Sequence, residues 1–334
     1  MAFDFNTALC RNCPFGVCIE DRRNLPVRGR STRFRLKQNT ALACTFDHFV
    51  PGTDNDPEPF RSFAVYLTRF RKNALEAGKT LFGRPFGIRG AALAKVEGDV
   101  NELIEAACLW NAIVIWNSFM DTGVWGSNVF SKPPGSAPSP SRKVAVLRLP
   151  RGYNPMNLFR EDVRSSIQAH EAALKLRGME LGLSSPDLVG IRVPDPMPAE
   201  YLPFLKSLDN LDDSNRLLLE SAYHNVEGTL VGRSFLFAIA VKRTTRSDRL
   251  YQPLFEANVL KYLIEFVLRG AAFRFNVHLG SFEGAAVKEH YKAASLVSLL
   301  LGGEPRLAVD RLLLAERPAE TAQSILNDLP LFPL

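Results

Sequence analysis

The chain has 334 residues, 46% of them hydrophobic, enough to bury a core and to fold as one large domain or two. Its formal charge is only +6, yet the cations are unevenly chosen, with 12 lysines against 29 arginines. Arginine's planar fork matches phosphate oxygens and the guanine edge, so the bias favours a nucleic-acid partner. No run approaches eighteen apolar residues, and Met1-Ala2-Phe3-Asp4 has neither the basic nor the apolar region of a secretory leader. The expectation is a cytoplasmic protein without a membrane segment.

In chain order, Cys10, Cys13 and Cys18 come first. A structural zinc site needs four ligands, and Cys44 and His48 have no independent support as the fourth, so reduced thiols are expected. Between Arg22 and Lys37 lie seven cations and no acid, as suits a segment running along a polyanion or a solvated basic loop. From Val96 to Met120 the apolar positions Val100, Leu103, Ile104, Ala107, Leu109, Ile113 and Ile115 predict a helix, and they wrap too far round for a surface one. The proline- and serine-rich stretch 131–142 reads as a linker. It separates a basic part, 1–130, from an α/β part, 143–334.

Past the linker the pattern predicts a strand at Lys143 to Leu149, a helix at Glu161 to Arg177, and strands at Leu188 to Val193 and Ser234 to Val241. A helix from Tyr251 to Leu268 and a strand from Phe273 to Leu279 follow. Helices over Gly284 to Leu301, Arg306 to Leu314 and Glu320 to Leu326 end the chain. The fold class is α/β, a central mixed β-sheet flanked by helices.

One group of residues carries chemistry. Asp187 opens one apolar strand and Lys242 closes another. A lysine at a strand mouth can stabilise charge on a phosphate or help deprotonate a water, and nearby carboxylates can hold a divalent metal. This is the layout of PD-(D/E)xK nucleases, with one departure, because Ala240 stands where the second acid is expected. Glu256, on the helix that follows, can replace it from the first turns. Glu102 lies on the buried helix, where an unpaired carboxylate is costly unless a metal or water relieves it. Arg246, Asp248 and Arg249 form a run that can read adjacent G·C pairs, since arginine bonds guanine O6 and N7 and aspartate accepts from cytosine N4.

The chain resembles the CCGG-core type II restriction endonucleases typified by SgrAI. The segments that carry the likeness are Arg23 to Thr32, Lys95 to Asp99 with Trp110-Asn111, Pro138 to Leu147, and Arg246 to Asn258. The resemblance implies a restriction-endonuclease-like core, one compact nuclease domain overall, and Mg²⁺ held by Asp187, the backbone carbonyl of Val241 and Glu102. It implies catalysis by Asp187, Lys242, Glu256 and Glu102, core reading by Arg246, Asp248 and Arg249, and outer-base reading by Arg30 and Lys95. Double-stranded DNA would be cut at a palindrome of the CR/CCGGYG type by a homodimer that forms higher oligomers on DNA. Two other readings stay open: a sequence-specific DNA-binding protein without catalysis, and a repair or recombination nuclease.

Overall fold

The computed structural model describes residues 43–82, 90–182, 185–243, 247–270, 273–281, 289, 291–300, 302 and 304–332. The three N-terminal cysteines, the basic run from Arg22 to Lys37 with Arg30, and Arg246 lie outside them.

Five strands, Val144–Arg148 (β1), Leu188–Arg192 (β2), Phe235–Lys242 (β3), Arg274–Leu279 (β4) and Arg311–Leu314 (β5), form one sheet in that order. β1 to β3 run antiparallel to their neighbours, whereas β3, β4 and β5 run parallel, so the sheet is mixed. The described helices are Ala43–Phe46 (α1), Phe63–Phe82 (α2), Gly90–Thr122 (α3), Glu161–Lys175 (α4), Asp213–Ser221 (α5), Ser247–Lys261 (α6), Leu296–Leu300 (α7) and Pro318–Asp328 (α8). A π turn, Tyr262–Val267, continues α6.

Apolar residues pack both faces of the sheet. Ala238 and Ala240 of β3 join the cluster that holds Phe63, Tyr66 and Phe70 of α2 and Val100 and Leu103 of α3. Phe237, Ile239 and Val241 join the other, with Ile113 and Trp116 of α3 and Ile325 and Leu326 of α8. This alternation is the two-residue period of a strand buried on both sides. The stretch Val96–Thr122 is long and apolar enough to cross a membrane, but 83% of its most apolar window is buried inside the fold. Its polar residues bind the surrounding chain. Asn117 donates to Val144 O and accepts from Val144 N, Asn111 does the same with Leu208, and Glu105 pairs with His278 of β4.

Three sequence expectations change. The stretch Arg306 to Leu314 is not helical: its end is β5, which satisfies the outer edge of β4, while Asp310 accepts from Phe275 N at 2.7 Å. Leucine runs fit either state, and an unpaired β4 edge decides this one. Within Gly284 to Leu301 the helix is not continuous: 291–295 are non-helical, with Ala294 bridged to Leu307, and Leu296–Leu300 is α7, while 284–288 lie outside the described residues. The sequence reading also omitted α2 and α5. The α2 signal is present, because Phe63, Tyr66, Leu67, Phe70 and Ala74 recur at helical spacing and are buried. α5 is short and starts at an Asp212 cap that accepts from Asn215 N at 2.8 Å.

Gly190 of β2 is demanded by packing. A Cβ there would meet the Phe237 ring at 2.1 to 2.6 Å, beside a register shift between Gly190 and Ile191. Gly190→Ala is therefore expected to destabilise the fold by about 1–3 kcal/mol or more. Denaturant unfolding checks this, and adding Phe237→Leu should recover part of the loss.

Candidate active site

Asp187 sits one residue before β2, yet its backbone is part of the sheet. Its N–H donates to Ile239 O at 3.1 Å and its carbonyl accepts from Leu149 N at 3.0 Å. The side chain is thereby fixed between β1 and the end of β3. Its Oδ2 accepts from Val241 N at 2.7 Å and from Lys242 Nζ at 2.9 Å. The two strand-end residues that lie 55 apart in sequence are thus in contact. Both donors fall on one oxygen.

Burial pushes the Lys242 ammonium down, but the charge and hydrogen bond of Asp187, with smaller contributions from Glu256 and Glu102, hold its pKa above the ordinary value. Lys242 is therefore a cation at neutral pH, suited to stabilising negative charge. Ala240 is completely buried in the apolar core, which accounts for the missing acid at that position.

Glu102 of α3 is buried, and its carboxyl is pushed up to about 7, first by desolvation and then by the charge of Asp187. Arg148, at the end of β1, opposes this through an ion pair at 2.8 Å. Arg148 also lies 3.7 Å from Glu220 of α5, which pairs with the buried Arg216. The sequence reading missed Arg148. Its signal was the same as that of Lys242: a cation closing an apolar strand.

Glu256 is almost wholly buried on α6, and its Oε1 accepts from Gln252 Nε2 at 2.8 Å. Its charge acts on both Lys242 and Tyr291. The helix starts at Ser247, four residues earlier than the sequence suggested, so Glu256 is its tenth residue and lies beyond the N-terminal amides. Its effect on Lys242, and not the helix dipole, ties it to the site. Asp248 and Arg249 lie in the first turn of α6, and Lys95 lies in α3; the side chains of all three are outside the description.

Among the described residues, no three His, Cys, Asp or Glu side chains form a cluster that could cage a metal. The donor set nevertheless suits a hard divalent cation. Desolvation and the neighbouring charge of Asp187 raise the cost of ionising Glu102, and a cation between the two carboxylates would offset both. Mg²⁺ commonly takes only one or two protein carboxylates, with substrate phosphate and water completing its octahedron.

A family model described as Cfr10I/Bse634I restriction endonuclease matches residues 60–327, most of the chain. The chain belongs to that family. The nuclease is thus a type II restriction endonuclease, a site-specific deoxyribonuclease of a kind that generally depends on a divalent metal. Its fold is that of Bse634I. The structure described as the type IIF restriction endonuclease Bse634I with cognate DNA aligns with TM-score 0.69 at 18% identity, over 91% of this chain and 96% of that one. A second Bse634I structure aligns with TM-score 0.70 at 18% identity, over 91% and 95%. No curated protein sequence matches the nuclease. The finer likeness to SgrAI is not part of what these matches give.

The raised Glu102 pKa has a consequence for stability. Its carboxyl holds a proton in the fold up to about pH 7 but loses it near the ordinary 4.5 when unfolded. The folded chain binds more protons in that window, so this contribution is present at low pH and lost as pH rises through about 7. Glu102→Gln should flatten this part of the metal-free Tm profile. An unchanged decline in the variant would place the titrating group elsewhere.

Proposed function

We propose that this nuclease cleaves double-stranded DNA with Mg²⁺ at a palindrome with a CCGG core, extended to an octanucleotide of the CR/CCGGYG type. The observation that supports the catalytic part is the joining of Asp187, Lys242 and Val241 at adjoining strand ends, with Glu102 electrostatically coupled to Asp187. Asp187, Glu102 and the carbonyl of Val241 would hold the metal. When bound, Mg²⁺ supplies Lewis-acid polarisation of a phosphate oxygen and makes nearby water more acidic.

The protein's own groups do the rest. Lys242 presents its ammonium to the scissile phosphate, where negative charge grows as water attacks phosphorus and the bond to the leaving sugar oxygen breaks. Glu256 adds to the larger effect of Asp187 in holding Lys242 as a cation, and takes the part of the acid that position 240 lacks. Arg148 keeps Glu102 in place. Arg246, Asp248 and Arg249, where α6 begins, would read the G·C pairs of the core, and Arg30 and Lys95 the outer bases. A palindromic site calls for a two-fold partner, so a homodimer is the working assembly, with higher oligomers on DNA.

Digestion of a plasmid of known sequence, followed by mapping of the ends, tests this reading. The expected product has four-base 5′ CCGG overhangs, appears with Mg²⁺ and is absent with chelator. Asp187→Ala should lower the single-turnover rate by several orders of magnitude while specific binding in Ca²⁺ persists, because a metal ligand and no base contact is removed. Ends at unrelated sequences, or substantial cutting by the variant at saturating Mg²⁺, would overturn the reading.

A further inference from the structure

Two arginines that the cleavage chemistry does not use converge on one carboxylate beside the site. Glu97 lies five residues before Glu102 on α3 and is itself buried. Its Oε1 accepts from Arg71 of α2, from Nε at 2.9 Å and also from Nη2. Its Oε2 lies 4.0 Å from Nη1 of Arg243, the residue directly after Lys242. Arg71 and Arg243 come from different elements, so their meeting is a property of the tertiary fold.

The backbone of Arg243 is held closely. Gly280 N donates to Lys242 O at 2.9 Å, and a Cβ at position 280 would come within 2.9 Å of the Arg243 carbonyl oxygen. Only a glycine lets the end of β4 pass this close. The guanidinium, in contrast, is underused: Nη1 of Arg243 is buried and has no hydrogen-bond partner among the described residues. The Arg71 side chain is 51% exposed and that of Arg243 35%, so both reach the surface. Two cations against one carboxylate leave a net charge of +1, which is complementary to one phosphodiester.

We infer that Arg71 and Arg243, aligned by Glu97, form a clamp for a DNA backbone phosphate flanking the scissile one. Five residues of helix span about 7.5 Å, which sets the clamp beside the carboxylate pair and not on top of it. Arg243 contacts the phosphate backbone as a continuation of the strand that delivers Lys242, so binding at the clamp aligns the catalytic ammonium. The inference rests on DNA binding by the family and is independent of the cleavage chemistry.

Its test is therefore made in chelator, where no cleavage intervenes. The dissociation constant of the intact nuclease and of Arg71→Gln and Arg243→Gln is measured at several salt concentrations, on a CCGG-core duplex and on a scrambled one. Each Gln variant leaves a neutral pair with Glu97, and each should flatten the plot of log K against log salt by about 0.9, the loss of one phosphate contact, on both duplexes alike. Arg71→Lys and Arg243→Lys should keep the slope. Unchanged slopes in both Gln variants overturn the clamp, as does a loss confined to the CCGG duplex, which would mark base contacts. Dicarbonyl modification of arginines in the intact nuclease gives an answer even if a variant fails to fold. DNA should protect Arg71 and Arg243, and equal reactivity with and without DNA would overturn the inference.

Discussion

The site depends on the cost of ionising Glu102 beside a second buried carboxylate inside the protein. Asp187 and Glu102 are both buried, and burial together with the charge of Asp187 makes Glu102 hard to ionise. The chain offsets this with cations at strand ends: Lys242 on Asp187 and Arg148 on Glu102. For Asp187 the Val241 N–H adds a further hydrogen bond. For Glu102 the compensation is incomplete, since its pKa remains near 7 in spite of Arg148. Such a residual imbalance is what a site that takes up a divalent cation would show.

The same arrangement extends along α3. Glu97 faces Arg71 and Arg243, Asp99 faces Arg151 at 2.8 Å, and Glu102 faces Arg148. A helix that is otherwise apolar core thus presents acids at its N-terminal half, three of them matched by arginines from elsewhere in the fold and Glu105 by His278. The arginine excess of the composition is partly spent here. Planar guanidinium groups hold a carboxylate and retain donors for phosphate, which an ammonium on the same stem does less well.

Much of this was legible in the sequence, for reasons that differ by residue. Asp187 and Lys242 stand out because each ends an apolar strand, and a charged residue there is positioned. Their contact follows from β2 and β3 being neighbours, which one-dimensional spacing does not show. Glu102 was identifiable from the width of the apolar face of α3. Arg148 carries the same strand-end signal, but its partner Glu102 lies 46 residues away on another element, and the pairing shows only once the fold sets the two opposite each other. The departure at the end of the chain, a strand where a helix was expected, has a physical cause. Leucine-rich segments such as Arg311–Leu314 take the conformation that their neighbours leave open, and here that is the free edge of β4.

Glu256 lies on the expected helix, but not where the local argument put it along that helix. Helical periodicity put it on the helix after Lys242, but the expected start at Tyr251 gave it a place in the field of the helix N-terminus. The helix starts at Ser247, and side-chain burial on α6 accounts for its position. Ala240 is filled by core packing, and Glu256 is a second buried acid whose charge, after that of Asp187, acts on Lys242.

On this reading Asp187 and Glu102 together receive the metal. Anomalous diffraction from crystals grown with Mn²⁺ and a cognate duplex tests it most directly. The predicted peak lies between the two carboxylates and in contact with a DNA phosphate, with Lys242 Nζ turned from Asp187 toward that phosphate. A peak away from both carboxylates, with the Lys242 bond to Asp187 intact, would contradict it.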